Sequence, residues 1–76
     1  MDVRIGVTQA PREINLEIPD DTDRDELRSK VEAALAGATD VLSLVDKRGK
    51  ETFVPASKIA YVEVGSDESP KIGFGN

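Results

Sequence analysis

The hydrophobic period of this chain changes twice, and those changes limit what it can fold into. Val3, Ile5 and Val7 alternate with Arg4 and Gly6, and Ile14, Leu16 and Ile18 alternate with Asn15 and Glu17. A period of two marks a half-buried strand. Leu27, Val31 and Leu35 then recur every fourth residue with Ala34 beside them, which is the apolar stripe of an amphipathic helix. After Gly37 the shorter period returns. Val41 to Val45, Lys50 to Val54 and Ile59 to Val64 each read as a strand, and Lys71 to Gly75 reads as a further short edge strand.

The punctuation agrees with this division. Pro11 breaks the stretch between the first two strands, which predicts a hairpin. Asp46 to Gly49 predicts a tight turn with glycine at the position that favours positive φ. Pro55 opens another turn and Gly65 ends the last long strand, before a polar loop at Ser66 to Pro70. The helix is placed at about Asp23 to Ala36, with Gly37 just past its end. One helix can cover one face of one sheet. The expected class is therefore α+β, a two-layer sandwich with one helix packed on a mainly antiparallel sheet, in the order β-β-α-β-β-β with a further β at the end. A single domain spans residues 1–76. The order of strands within the sheet is left open. Leu27, Val31 and Leu35 are expected to pack on Val3, Ile5, Leu16, Leu42, Leu44, Ile59 and Val62 or their neighbours. Phe53 and Phe74 are expected in the core, because a domain this small has few large side chains to build one, and Tyr61 at its rim.

Asp20 to Glu32 raises the prospect of a metal site. Read from Asp21, acids fall at the first, third and fifth positions of a calcium loop, and Glu32 falls at the twelfth. The sixth position of such a loop needs glycine, and here it is Glu26. The helical stripe also starts at Leu27, inside the supposed loop. The acids read better as a helix start, with Thr22 or Asp23 capping free amides and Asp25 and Glu26 near the positive end of the helix dipole.

The chain has no cysteine and no histidine. That removes disulfides, thiolate chemistry, cysteine zinc sites and the usual general base near neutral pH. Ser57 and Lys58 are adjacent, but adjacent side chains in a strand or turn point apart. No glycine-rich stretch has the spacing and following helix of a phosphate cradle. No catalytic, cofactor-binding or metal-binding residue is assigned, and no enzyme activity is expected. Met1 to Ala10 lacks the apolar run of a signal peptide, and no segment approaches a membrane span, so the cytoplasm is the expected location. The net charge of −5 disfavours non-specific nucleic-acid binding. The one basic cluster is Lys47, Arg48 and Lys50, with Lys58 downstream, and these residues together with Tyr61 are the candidate anion or partner contacts.

A family resemblance rests on "VRIGV", "APREI", "LSLVDKRG", "VPASKIAYVEVG" and "IGFG", in that order over almost the whole chain. Together they resemble the small actinobacterial proteins of domain-of-unknown-function family 3107. The resemblance implies a small intracellular bacterial protein and carries no catalytic residues with it. A generic "ATP-binding" label is attached to some members, and no residue here matches one. The leading expectation is a non-enzymatic interaction module that binds a protein partner or its own copy. The alternative is a nucleic-acid-associated regulator using the basic cluster and Tyr61. Nucleotide (ATP) binding is the weaker alternative.

Overall fold

The computed structural model describes residues 1–65. The expected strand at Lys71 to Gly75, the polar loop before it and the core position of Phe74 lie outside the described residues. Strand β1 is Asp2–Val7, β2 is Ile14–Glu17, β3 is Val41–Val45, β4 is Glu51–Pro55 and β5 is Ile59–Val64. The helix α1 is Arg24–Leu35. A single 3-10 turn at Ala56–Lys58 joins β4 to β5.

The class is α+β, one helix against antiparallel strands, as the period changes imply. The strands divide between two ladders. β1 lies at the centre of a three-stranded sheet in the order β2-β1-β5, and β3 pairs only with β4. All of the pairings are antiparallel. Val3 stands opposite both Leu16 and Val64, and Ile5 opposite both Ile14 and Val62. These apolar residues therefore share one face. Val3 and Ile5 are fully buried at its centre.

Both helix ends are built from local chemistry. Asp23 is the N-cap, and its carboxylate accepts the amides of Asp25 at 2.9 Å and Glu26 at 3.3 Å. Gly37 takes φ 81° just beyond the C-cap Ala36. Its amide donates to Ala34 O at 3.1 Å, and the next amide, Ala38, donates to Ala33 O at 2.8 Å. This paired closure is the Schellman ending, and glycine enters that left-handed conformation without steric penalty.

Two expectations about packing are corrected. Leu35 is half exposed, and Ala34 fills the helix position against the core. At about 100° per residue, steps of four drift, so Leu35 lies about 80° around the helix from Leu27 while Ala34 lies within about 20° of it. Phe53 is also outside, at 62% exposure. Val54 points inward from β4, so its neighbour must point outward. The remaining core joins Met1, Leu16, Ile18, Leu27, Val31, Leu42, Leu44 and Val54 to the centre of β1.

Candidate functional site

Outward positions on the β3–β4 hairpin form an apolar surface. The register places Val41 opposite Pro55, Ser43 opposite Phe53 and Val45 opposite Glu51. Val41, Val45 and Phe53 are all near or above half exposed. Inward positions Leu42, Leu44 and Val54 are buried. The hairpin thus spends one set of alternating side chains on the core and presents the other set to solvent.

The turn that ends this surface is rigidly made. Asp46 Oδ1 accepts the amides of Arg48 and Lys50, each at 2.9 Å, and Gly49 takes φ 84° between them. The Asp46 amide donates to Lys50 O, and the Gly49 amide donates to Asp46 O, both at 3.0 Å. A further bond docks the turn on the other sheet, because the Lys47 amide donates to Glu17 O at 2.8 Å.

The five residues singled out by the sequence fall in three places. Lys47, Arg48 and Lys50 share the turn, but Lys47 Nζ lies 3.9 Å from both Glu17 Oε2 and Asp20 Oδ2 and faces acids already. Lys58 sits beyond the opposite end of β4, about 17 Å along a five-residue strand. Its carbonyl accepts the Thr8 amide at 2.8 Å. Tyr61 lies on the other sheet. Its ring covers Gly6, where a Cβ would collide with it, and its hydroxyl donates to the Glu13 carboxylate. That hydrogen bond, together with partial burial and the nearby acids, raises the phenol above its ordinary value. Sequence reasoning missed Phe53 as a surface residue. Strict alternation with Val54 was the signal that could have found it.

Met1 builds a second polar constellation. Its ammonium donates to Asp20 Oδ1 at 2.7 Å, to Ile18 O at 2.9 Å and to Glu17 Oε2 at 3.1 Å, while its side chain is buried. Hydrogen bonding to Asp20 raises the amine above its ordinary value despite its desolvation. The same ammonium holds the Glu17 and Asp20 carboxyls below theirs, with Lys47 adding to the effect. Arg24 Nη1 donates to Met1 Sδ at 3.2 Å and to Gly65 O at 2.9 Å, tying the start of α1 to the end of β5. All of these groups are engaged with one another, so the cluster reads as a structural junction between β2, α1 and the hairpin turn. Among the described residues, no group of three or more acids is arranged to hold a metal ion, and no helix is long and apolar enough to cross a membrane.

The model of a family described as a protein of unknown function, DUF3107, matches residues 1–75. The chain belongs to DUF3107. No curated protein matches it. The match spans every described element of the DUF3107 fold presented here, including the hairpin surface and the junction at Met1. The chemistry on offer at that surface is contact rather than reaction: apolar side chains on a paired backbone, with the Arg48 and Lys50 cations at one end.

Proposed function

We propose that this DUF3107 protein is a non-enzymatic, cytoplasmic interaction module whose outer β3–β4 face docks a protein partner. The observation that carries this reading is Phe53, 62% exposed beside Val41 and Val45 on a hairpin whose opposite face is fully committed to the core. Exposed apolar groups that cluster on a rigid element mark contact surfaces, and aromatic residues commonly anchor them. Arg48 and Lys50 flank this face, so the fitting partner presents an apolar anchor with carboxylates beside it.

The test is affinity capture of the tagged full chain from an actinobacterial lysate, with and without nuclease, beside a Phe53→Ala variant. A defined protein held by the wild type, lost with Phe53→Ala and indifferent to nuclease, supports the reading. A captured set unchanged by the substitution removes this face from consideration.

Nucleic-acid binding is the second reading, and one placement favours it. Phe53 shares a hairpin with Arg48 and Lys50, so a base could stack where phosphates meet cations. Tyr61 lies apart from them, on the other sheet and hydrogen-bonded to Glu13. Affinity for a single-stranded oligonucleotide that falls steeply with salt is the signature. Binding that is absent at low salt dismisses this reading. Saturable chemical-shift changes with magnesium ATP would instead point to a nucleotide.

A further inference from the structure

Strand β5 is an edge of the three-stranded sheet, and the register shows which of its backbone groups lack a partner. The Gly65 amide donates to Asp2 O at 2.7 Å. With Asp2 and Gly65 bonded to each other, the antiparallel register makes Arg4–Glu63 and Gly6–Tyr61 the next bonded pairs. Val62 and Val64 therefore aim their N–H and C=O groups away from β1, and no described residue bonds them. Beside this edge runs a groove of 380 Å³ with Val31, Val62 and Val64 at its floor and Arg24, Asp25, Arg28 and Glu32 of α1 along its wall. A helix lying beside an open strand edge is the setting in which an extended segment adds itself to a sheet.

Other edges in the molecule are protected. β2 has its Glu17 carbonyl bonded by the Lys47 amide and is closely followed by Pro19. Along β3, the Ser43 carbonyl accepts Lys30 Nζ at 3.2 Å. β4 ends in Pro55, which has no amide to offer. Basic residues, prolines and capping contacts are the usual ways to keep an edge from pairing with another chain. The β5 sequence, Ile59 to Val64, contains neither Lys, Arg nor Pro.

We infer that the β5 edge pairs antiparallel with the β5 edge of a second copy of this chain, joining two three-stranded sheets into one. Charge selects the copy as occupant. The chain carries −5, so most of its surface repels a copy of itself. The groove wall has two arginines against Asp25 and Glu32, and so is locally balanced. The arrangement is isologous, with Val62 of one copy near Val62 of the other. An edge about 20 Å long buries less than a standard interface, so the dimer is weak, with a dissociation constant of about micromolar or higher. This inference uses a different surface from the β3–β4 face, so a failed partner capture and a failed dimer are separate results.

The experiment is sedimentation equilibrium of the full chain from about 10 µM to about 1 mM, with amide hydrogen exchange at both ends of that range. The expected result is an apparent mass that rises toward double with concentration. Exchange at Val62 and Val64 slows in step, while Tyr61 and Glu63 are protected throughout. Arg28→Glu leaves an exposed site folded but makes the groove acidic, and should weaken dimerisation about tenfold or more. The double change Arg28→Glu/Glu32→Arg restores the balance and the dimer. A single-chain mass at the highest concentration overturns the proposal. Protection of Val62 and Val64 that ignores concentration also overturns it, because the same chain would then be covering its own edge. A dimer in which those amides still exchange freely, or that is indifferent to Arg28→Glu, overturns it as well.

Discussion

On the three-stranded sheet the outward positions include Arg4, Tyr61 and Glu63, whereas on the β3–β4 hairpin they are Val41, Val45 and Phe53. The two outer faces have been treated differently. On the larger sheet Arg4 lies 4.0 Å from Glu63, and Tyr61 spreads over Gly6 and bonds Glu13. Its polar groups find partners nearby and its glycine is covered. On the hairpin, apolar side chains are left against water although the backbone beneath them is well paired. The difference teaches that foldedness and completeness are separate matters. Both regions are ordered by the same core, and only the hairpin is left with an apolar face that nothing described covers.

Substitution at the shared core should show the largest effect. Ile5→Ala removes a fully buried side chain opposite both Ile14 and Val62, and should cost about 3 kcal/mol in denaturant unfolding. A loss below about 1 kcal/mol would mean that the larger sheet does not organise the domain. Within α1, Leu27→Ala should cost about 2–4 kcal/mol and Leu35→Ala under about 1 kcal/mol, since only the first faces the core. Equal costs would restore the four-residue stripe.

Gly6→Ala attacks the finished outer face directly. The new methyl would enter the Tyr61 ring, which must swing away from Glu13, at a cost of about 1–3 kcal/mol. Chemical shifts of the Tyr61 ring should move strongly. An unmoved ring would show that the covering contact is not maintained in solution.

The junction between the two regions should respond to pH. Glu17 and Asp20 have folded-state values below their ordinary 4.5 and 3.8, so their contribution is present above those values and is lost as pH falls through the lowered ones. The Met1 amine is raised above 8.0, so its contribution is present below 8.0 and is lost as pH rises through the raised value. Thermal unfolding should therefore show a plateau between these limits, and Glu17→Gln with Asp20→Asn should flatten the acid side. Both carboxylates are largely exposed, so the effect is modest and shrinks with salt. An unchanged acid side in the double variant would separate the junction from stability.

The smallest expected change is also the most informative for the hairpin. Phe53→Ala should alter stability by under about 1 kcal/mol while removing partner capture. A large loss of stability would mean that Phe53 supports the fold, and the two outer faces would no longer differ in kind.

Much of this fold is legible in the sequence because its local signals agree. Strand alternation marks Val3, Ile5, Leu42 and Leu44 as inward, and the structure buries all four. Asp23 and Gly37 delimit the helix for chemical reasons that need no tertiary context. The division into two ladders was not legible, since which strands pair depends on contacts far apart in the chain. Leu35 misleads because steps of four overrun the helical turn. Phe53 misleads when size is weighed above alternation. The basic cluster was legible as composition, but its dispersal was not. Only the fold shows that Lys58 lies beyond the far end of β4, that Lys47 faces Glu17 and Asp20, and that Tyr61 belongs to another sheet.

The pairing of β1 with β5 has a consequence for the order of events in folding. The β1–β2 and β3–β4 hairpins close over short loops, and each can form soon after its second strand is made. β1 must then wait for its other neighbour, because Val3 meets Val64 only when nearly the whole described chain exists. The longest loop is therefore closed last, after the helix and both hairpins are available to receive it. Folding speed should depend on that final meeting, and a nascent chain stopped before β5 would hold its central strand with one side open.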